Sequence, residues 1–129
     1  VSVPPGLDPR PTTTTTADGR HVVAGGRCRR CGEAQAFRWP RCAACGGELA
    51  AEDFGPAGTV WSSTVVRIPI PGRTAPYGLA YVDLDDGPRV LAHAPVPDGG
   101  STPIGGRVRL VAPSPDGDLV VEPILEPQR

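Results

Sequence analysis

Arg27-Cys28-Arg29-Arg30-Cys31-Gly32-Glu33-Ala34-Gln35-Ala36-Phe37-Arg38-Trp39-Pro40-Arg41-Cys42-Ala43-Ala44-Cys45-Gly46-Gly47 holds every cysteine of the 129-residue chain. They fall as two Cys-x-x-Cys pairs with ten residues between them. A Cys-x-x-Cys turn lets two thiolates converge on one ion, and two such turns complete a tetrahedral S4 set. Glycine follows each pair, at Gly32 and Gly46, where the turn needs a residue tolerant of positive φ. The reading is a structural metal site of Cys28, Cys31, Cys42 and Cys45. Four protein thiolates leave no position for water or substrate, which argues against a catalytic metal. Zinc is the commoner structural occupant, and iron fits the same geometry. Two disulfides are the alternative use of four cysteines. Against them stand the absence of a secretion signal in the sequence and the packing of all four into eighteen residues at paired metal spacing.

Working outward, Arg27, Arg29, Arg30, Arg38 and Arg41 surround the cysteines. They either offset the formal −2 charge of an S4 site and are otherwise solvated, or they form an anion-binding face for phosphates. The sequence leaves both open. A module of about twenty residues has almost no apolar core, so its metal must supply the folding free energy, about 10–16 kcal/mol in isolated zinc peptides. Metal removal is therefore expected to unfold the ribbon locally while the C-terminal part survives.

Pro and Gly number 17 each, spread as punctuation between short apolar runs, which fits a many-turned β protein. Val1 to Ala17 is the exception. Its prolines and the threonines from Thr12 to Thr16 have little to bury, so a loosely held arm is expected. The expected division is an arm over 1–19, a zinc ribbon over 20–54 and a β-barrel over 55–126. Net charge is −1, which argues against nucleic-acid binding by bulk charge. All thirteen basic residues are arginine, as a GC-rich genome would also produce. No run of membrane-spanning length or signal-peptide character is read, so the expectation is a cytoplasmic protein with no membrane partner.

From Ala57 the pattern turns to short β segments. Ala57 to Ile68 is rich in β-branched residues and long enough to serve two sheets through a bend. Tyr77 to Leu84 forms a second strand, Asp85-Asp86-Gly87 a hairpin turn, and Arg89 to Ala94 a third strand. A connector from Pro95 to Gly105 leads to strands over Arg107–Val111 and Asp118–Ile124. In strand two, Ala80, Val82 and Leu84 share one face and Leu79, Tyr81 and Asp83 the other. This spacing describes a five-stranded OB-type barrel. A simple meander is the competing topology. The fold class is thus mostly β, with an N-terminal rubredoxin-like zinc ribbon and a C-terminal OB-fold barrel.

The order Cys-x-x-Cys-Gly, Trp-Pro-Arg-Cys-x-x-Cys-Gly and Gly58-Thr59-Val60-Trp61-Ser62-Ser63-Thr64-Val65-Val66-Arg67 continues with Pro76-Tyr77-Gly78-Leu79-Ala80-Tyr81-Val82-Asp83-Leu84-Asp85-Asp86-Gly87 and Ile104-Gly105-Gly106-Arg107-Val108. Together these resemble the family of acyl-CoA-associated proteins that join a rubredoxin-like zinc ribbon to an OB-fold, over about residues 20 to 124. The resemblance implies an accessory subunit without chemistry of its own, in a hetero-oligomer with a thiolase-like or ketoacyl-synthase-like acyltransferase, or with a hot-dog-fold enoyl-CoA hydratase. It implies structural zinc on the four cysteines and acyl-CoA as the ligand of the complex. Many members begin with a helix ahead of the ribbon. The Pro/Thr-rich start of this chain cannot form a good one.

An OB barrel presents a groove across strands two and three, near which Tyr77, Tyr81, Arg67, Arg73 and Arg89 are expected. Arg67, Arg73 and Arg89 are the candidates for CoA phosphates, since a guanidinium donates two parallel hydrogen bonds. For each, solvated surface is the bland alternative. Trp39 and Trp61 are expected to pack between ribbon and barrel rather than serve as ligand-stacking platforms, with the border of a partner interface as the further place open to both. A single-stranded nucleic-acid binder is the second functional reading, because both modules serve that purpose, but the near-neutral charge and few aromatics weigh against it. His21 and His93 are the only histidines, and His93 is placed on the face opposite Val90 and Ala92. No nucleophile elbow, phosphate-cradling glycine loop or His/carboxylate metal set is found, so no catalytic residue is assigned.

Overall fold

Alternating and β-branched segments condense into two antiparallel sheets. The computed structural model describes residues 10–97 and 100–124, and its nine strands in that range are β1 (Thr13–Thr15), β2 (His21–Cys28), β3 (Ala34–Gln35), β4 (Leu49–Phe54), β5 (Ala57–Val66), β6 (Tyr77–Leu84), β7 (Arg89–Ala94), β8 (Arg107–Leu110) and β9 (Val121–Pro123). In the ribbon sheet β2 is central. One edge pairs with β4 from Val23↔Phe54 to Cys28↔Leu49. The other edge is shared, β1 taking His21 to Val23 and β3 taking Gly26 and Arg27. Cys28, the last residue of β2, is thereby delivered to the cysteine cluster on a strand paired along its length.

The Pro/Thr-rich arm expected over 1–19 differs in part. Thr13–Thr15 form β1 on the edge of β2, because β-branched threonines suit a half-exposed edge strand whose ladder the neighbour completes. The first nine residues of that arm lie outside the described range, as do residues 125–126 of the expected barrel.

The second sheet runs β7-β6-β5-β8-β9. It closes where β7 and β9 come side by side in parallel, through the His93↔Val120 bridge and a 2.8 Å hydrogen bond from His93 N–H to the Leu119 carbonyl. Pairing of the fourth barrel strand with the first, and of the third with the fifth, is the OB arrangement and excludes the meander. β5 does the double duty its length suggested. Ala57 to Thr59 pair with β8, Gly58 to Val66 pair with β6, and the register shifts between Val60 and Ser62. The extra residue at this bulge is Trp61, and a bulge bends its strand.

Strand two alternates as its sequence predicts: Ala80, Val82 and Leu84 are buried. They join Val60, Val90, Ala92, Val108, Leu110, Leu119 and Val121 in one core that also takes in Val23 and Phe54 of the ribbon sheet. Each buried Val, Leu or Phe contributes about 1.5–3 kcal/mol by leaving water. The ribbon stem is therefore not coreless. Only its cysteine-bearing end is. Among the described residues no helix is long and apolar enough to cross a membrane.

Candidate metal centre and barrel face

The two Cys-x-x-Cys turns are near copies. In the first, Gly32 N–H bonds the Cys28 carbonyl at 3.0 Å and Cys28 N–H bonds the Glu33 carbonyl at 2.9 Å. In the second, Gly46 N–H bonds the Cys42 carbonyl at 2.9 Å and Cys42 N–H bonds the Gly47 carbonyl at 2.8 Å. Both closing glycines are left-handed, with φ of 79° and 78°, the conformation that favours glycine. The result brings all four Sγ atoms within 4.8 Å of one another. Cys28 and Cys45 stand 3.5 Å apart, and Cys31 and Cys42 3.7 Å. A tetrahedron with metal–sulfur bonds of about 2.3 Å has edges of about 3.8 Å, so the cage fits zinc.

N–H groups ring the sulfurs. Arg30 and Cys31 point theirs at Cys28 Sγ (3.3 and 3.4 Å), and Ala44 points its own at Cys42 Sγ (3.3 Å). One further partner carries no mark in the sequence. Buried Gln35 donates its side-chain amide to Cys42 Sγ at 3.0 Å and accepts from Ala43 N–H at 3.4 Å. A glutamine between two knuckles looks like any surface residue until β3 turns it inward. Gly47 completes the cage, for a Cβ there would stand 2.9 Å from Arg30 Cβ and 3.0 Å from Cys28 Sγ.

These donors set the thiols apart before any metal arrives. The N–H of Cys31, opposed by burial and aided by the N–H of Arg30, brings Cys28 down to about 6. Against the N–H of Glu33, burial and the neighbouring thiols push Cys31 up to about 12. Cys42 is lowered, burial opposing and the N–H groups of Cys45 and Ala44 prevailing.

Of the five arginines around the site, three are spent on acids of the ribbon. Arg27 forks onto Glu52 at 3.0–3.2 Å, Arg29 reaches Glu48 at 3.4 Å, and Arg38 meets Asp53 at 3.2 Å and the Gly25 carbonyl at 3.0 Å. Charge balance rather than a phosphate face describes these three. Arg27 does more: it donates to the Asp86 carbonyl in the β6–β7 turn and lies 5.5 Å over the Phe54 ring. That contact joins ribbon to barrel.

Trp39 and Trp61 divide. Trp39 stacks edge-on against Phe37 at 4.8 Å and lines the open cleft between ribbon and barrel, beside Arg27 and Pro88. Trp61 does not pack there. Alternation from buried Gly58 and Val60 turns it outward, 52% exposed, next to Tyr81 (45%) and Leu91 (47%) on the outer face of β5, β6 and β7. Its ring meets Tyr81 edge-on at 6.1 Å, and the Arg89 guanidinium covers it at 3.8 Å.

The three arginines named for CoA phosphates are not brought together. Arg89 pairs with Asp83 at 2.6 Å, at one end of the β6–β7 face. Arg73 lies toward the other end, held by His93, four residues or about 13 Å along β7 from Arg89, and by Asp118. Arg67 is exposed beyond the end of β5. Tyr77, Leu79, Leu91 and His93 line a cavity of about 300 Å³ on this face. His93 points outward, as its alternation predicts, while His21 lies in β2 beside Thr15, in 3.3 Å contact.

Residues 51–112 match the family model described as ChsH2, C-terminal OB-fold domain. A solved Ltp2-ChsH2(DUF35) aldolase is similar over 79% of this chain and 84% of that chain, at 27% identity and a TM-score of 0.62. A protein of unknown function from the DUF35 family of Sulfolobus solfataricus aligns over 80% of this chain and 76% of that chain, with a TM-score of 0.58. Its 18% identity carries the fold alone. No curated protein sequence matches significantly.

Proposed function

We propose, from the match of its barrel to the ChsH2 C-terminal OB-fold domain family, that this protein is the non-catalytic accessory subunit of a thiolase-like enzyme that processes acyl-CoA. The observation that carries this reading is the likeness to an Ltp2-ChsH2(DUF35) aldolase, because it spans ribbon and barrel together rather than one common module. In this role the four cysteines hold structural zinc, which stiffens the end of the ribbon. The partner holds the reacting groups and most of the acyl-CoA site.

The barrel face supports a protein partner over a nucleic-acid strand. Trp61 and Tyr81 suit either, since aromatic anchors are enriched at protein interfaces and also stack bases. But Arg73 and Arg89 are neutralised by Asp118 and Asp83, which leaves little charge on this face for a phosphate backbone. The same pairing argues that CoA phosphates are held chiefly by the partner.

Co-expression with the thiolase-like protein of the same genome, followed by affinity purification and light scattering, tests the reading. A stable hetero-oligomer that turns over acyl-CoA, where this chain alone does not, is the expected result. Turnover by the isolated chain, or its persistence as a monomer beside such a protein, would overturn it.

A further inference from the structure

Beyond the metal cage, one cluster of titratable side chains sits where the barrel is sewn shut. The β5–β6 loop folds back at Ile70-Pro71-Gly72-Arg73, where Arg73 N–H bonds the Ile70 carbonyl at 3.0 Å and Gly72 has φ of 83°. Pro-Gly at the centre is the combination a type II turn requires. This turn presents Arg73 to the end of β7. There Arg73 Nη1 lies 2.7 Å from His93 Nε2, and Arg73 Nη2 donates to Asp118 Oδ2 at 2.9 Å. Asp118 comes from the β8–β9 loop, held by its own N–H to Ser114 Oγ at 3.0 Å. Its carboxylate also stands 3.4 Å from His93 Nε2. Three separate segments thus meet at one imidazole nitrogen.

The two neighbours of that nitrogen want opposite things from it. A guanidinium can only donate, so the 2.7 Å contact requires a lone pair on Nε2 and the proton on Nδ1. A carboxylate can only accept, so a full bond to Asp118 requires Nε2–H. We propose that Arg73, His93 and Asp118 form a proton-operated clasp, which ties the β5–β6 loop to β7 while His93 is neutral and releases that tie when His93 is protonated. On protonation Nε2 gains a hydrogen, Arg73 faces a like charge at its former acceptor, and the imidazolium turns to Asp118. The proton comes from solvent, to which His93 is partly open (19% side-chain exposure).

The other groups facing His93 fit this role. Tyr77 of β6 lies 6.3 Å away, ring to ring, and Arg73 also covers its face at 5.5 Å. Arg10, from the segment ahead of β1, stands 3.9 Å from the second oxygen of Asp118. Asp116 lines the shallow pocket on the far side of His93 with Thr74 and Ser114. Arg73, and then His93, hold the Asp118 carboxyl below the usual range, so Asp118 remains an anion through the pH range in which imidazoles titrate. Release loosens the end of the cavity lined by Tyr77, Leu79 and Leu91.

The test reads the ring directly. Long-range 1H–15N correlation spectra of the full chain with zinc should show His93 as the Nδ1–H tautomer at pH 8. Amide exchange over Ile70–Arg73, corrected for intrinsic rates, should quicken about tenfold between pH 8 and pH 5.5, the loss expected for one charge-assisted hydrogen bond. His93→Gln keeps an acceptor for Arg73 but cannot titrate, and should abolish that pH dependence. Arg73→Gln should abolish it as well, giving a second reading if the first variant folds poorly. An Nε2–H tautomer at pH 8, or the same pH dependence in wild type and both variants, would sink the clasp.

Discussion

Gln35 and Cys42 form the one bond from a side-chain amide to the metal cage among the described residues, Nε2 to Sγ at 3.0 Å, with the amide oxygen returned to Ala43 N–H. A neutral donor to a thiolate disperses its charge and fixes its direction. Losing such an outer partner typically costs 10–100-fold in metal affinity. Gln35→Leu should therefore weaken zinc binding by about that factor in competition with a chromophoric chelator. Gln35→Glu should be worse, since it brings a carboxylate against a thiolate. Equal affinity in all three proteins would mean that the bond has no part in holding the metal.

The spread of thiol acidities makes metal uptake depend on pH. Cys31, pushed up to about 12, is protonated in the free protein at neutral pH, whereas Cys28, at about 6, is already thiolate above neutrality. Because the bound form needs Cys31 deprotonated, affinity rises with pH, about tenfold per unit for each proton released. Cys28 should add to this slope only below about pH 6. Zinc titrations at pH 7 and 8 in buffers of different ionisation enthalpy measure the proton count. A count of zero at pH 7 contradicts the assignment.

At the joint between sheets, Gly87 lies against Phe54, and a Cβ added there would stand 2.8 Å from the ring. Phe54 is buried in the shared core and cannot yield freely. Gly87→Ala should destabilise the fold by about 1–3 kcal/mol, the usual cost of overpacking. Urea unfolding of the zinc-loaded protein gives the number, and a shift under 0.5 kcal/mol (roughly the scatter of a neutral surface change) would show that the joint is loose.

Trp61 stands outward at the β5 bulge with the Arg89 guanidinium over its ring, a rigid arrangement of the kind that dominates interface energies. Trp61→Ala should weaken capture of the proposed partner by at least 2 kcal/mol, or about thirtyfold, while zinc content and barrel stability stay unchanged. Arg89→Ala should show a smaller loss. Undiminished capture by both variants places the partner on another surface.

Much of this molecule is legible in its sequence, for reasons that differ by region. The cysteine spacing and the two following glycines describe the cage because turn geometry leaves few alternatives. The alternation of Ala80, Val82 and Leu84 gives the inward face of β6, since a half-buried strand has period two. Closure by β7 and β9 emerges from sequence only as one of two topologies, because pairing between strands distant in sequence leaves no local mark. Trp61 faces outward as alternation from buried Gly58 and Val60 dictates, and it departs from its expected place because strand period gives a side chain's face but not which neighbour covers that face. The Arg73–His93–Asp118 cluster draws on three segments spread over 46 positions, and no pairwise pattern joins them. The threonines of β1 read as unstructured because their partner edge is supplied by β2.

The shared core has a practical consequence for anyone who would cut this protein in two. β2 ends at one side in the metal cage, through Cys28, and at the other among barrel side chains, through Val23. A fragment beginning at residue 55 would leave the barrel core without Phe54 and Val23, and a fragment ending there would carry those two side chains into water. Neither half is a module to be transplanted. The strand acts as a splint across the seam, so grafting this ribbon onto another barrel, or this barrel behind another ribbon, requires moving β2 and β4 with it.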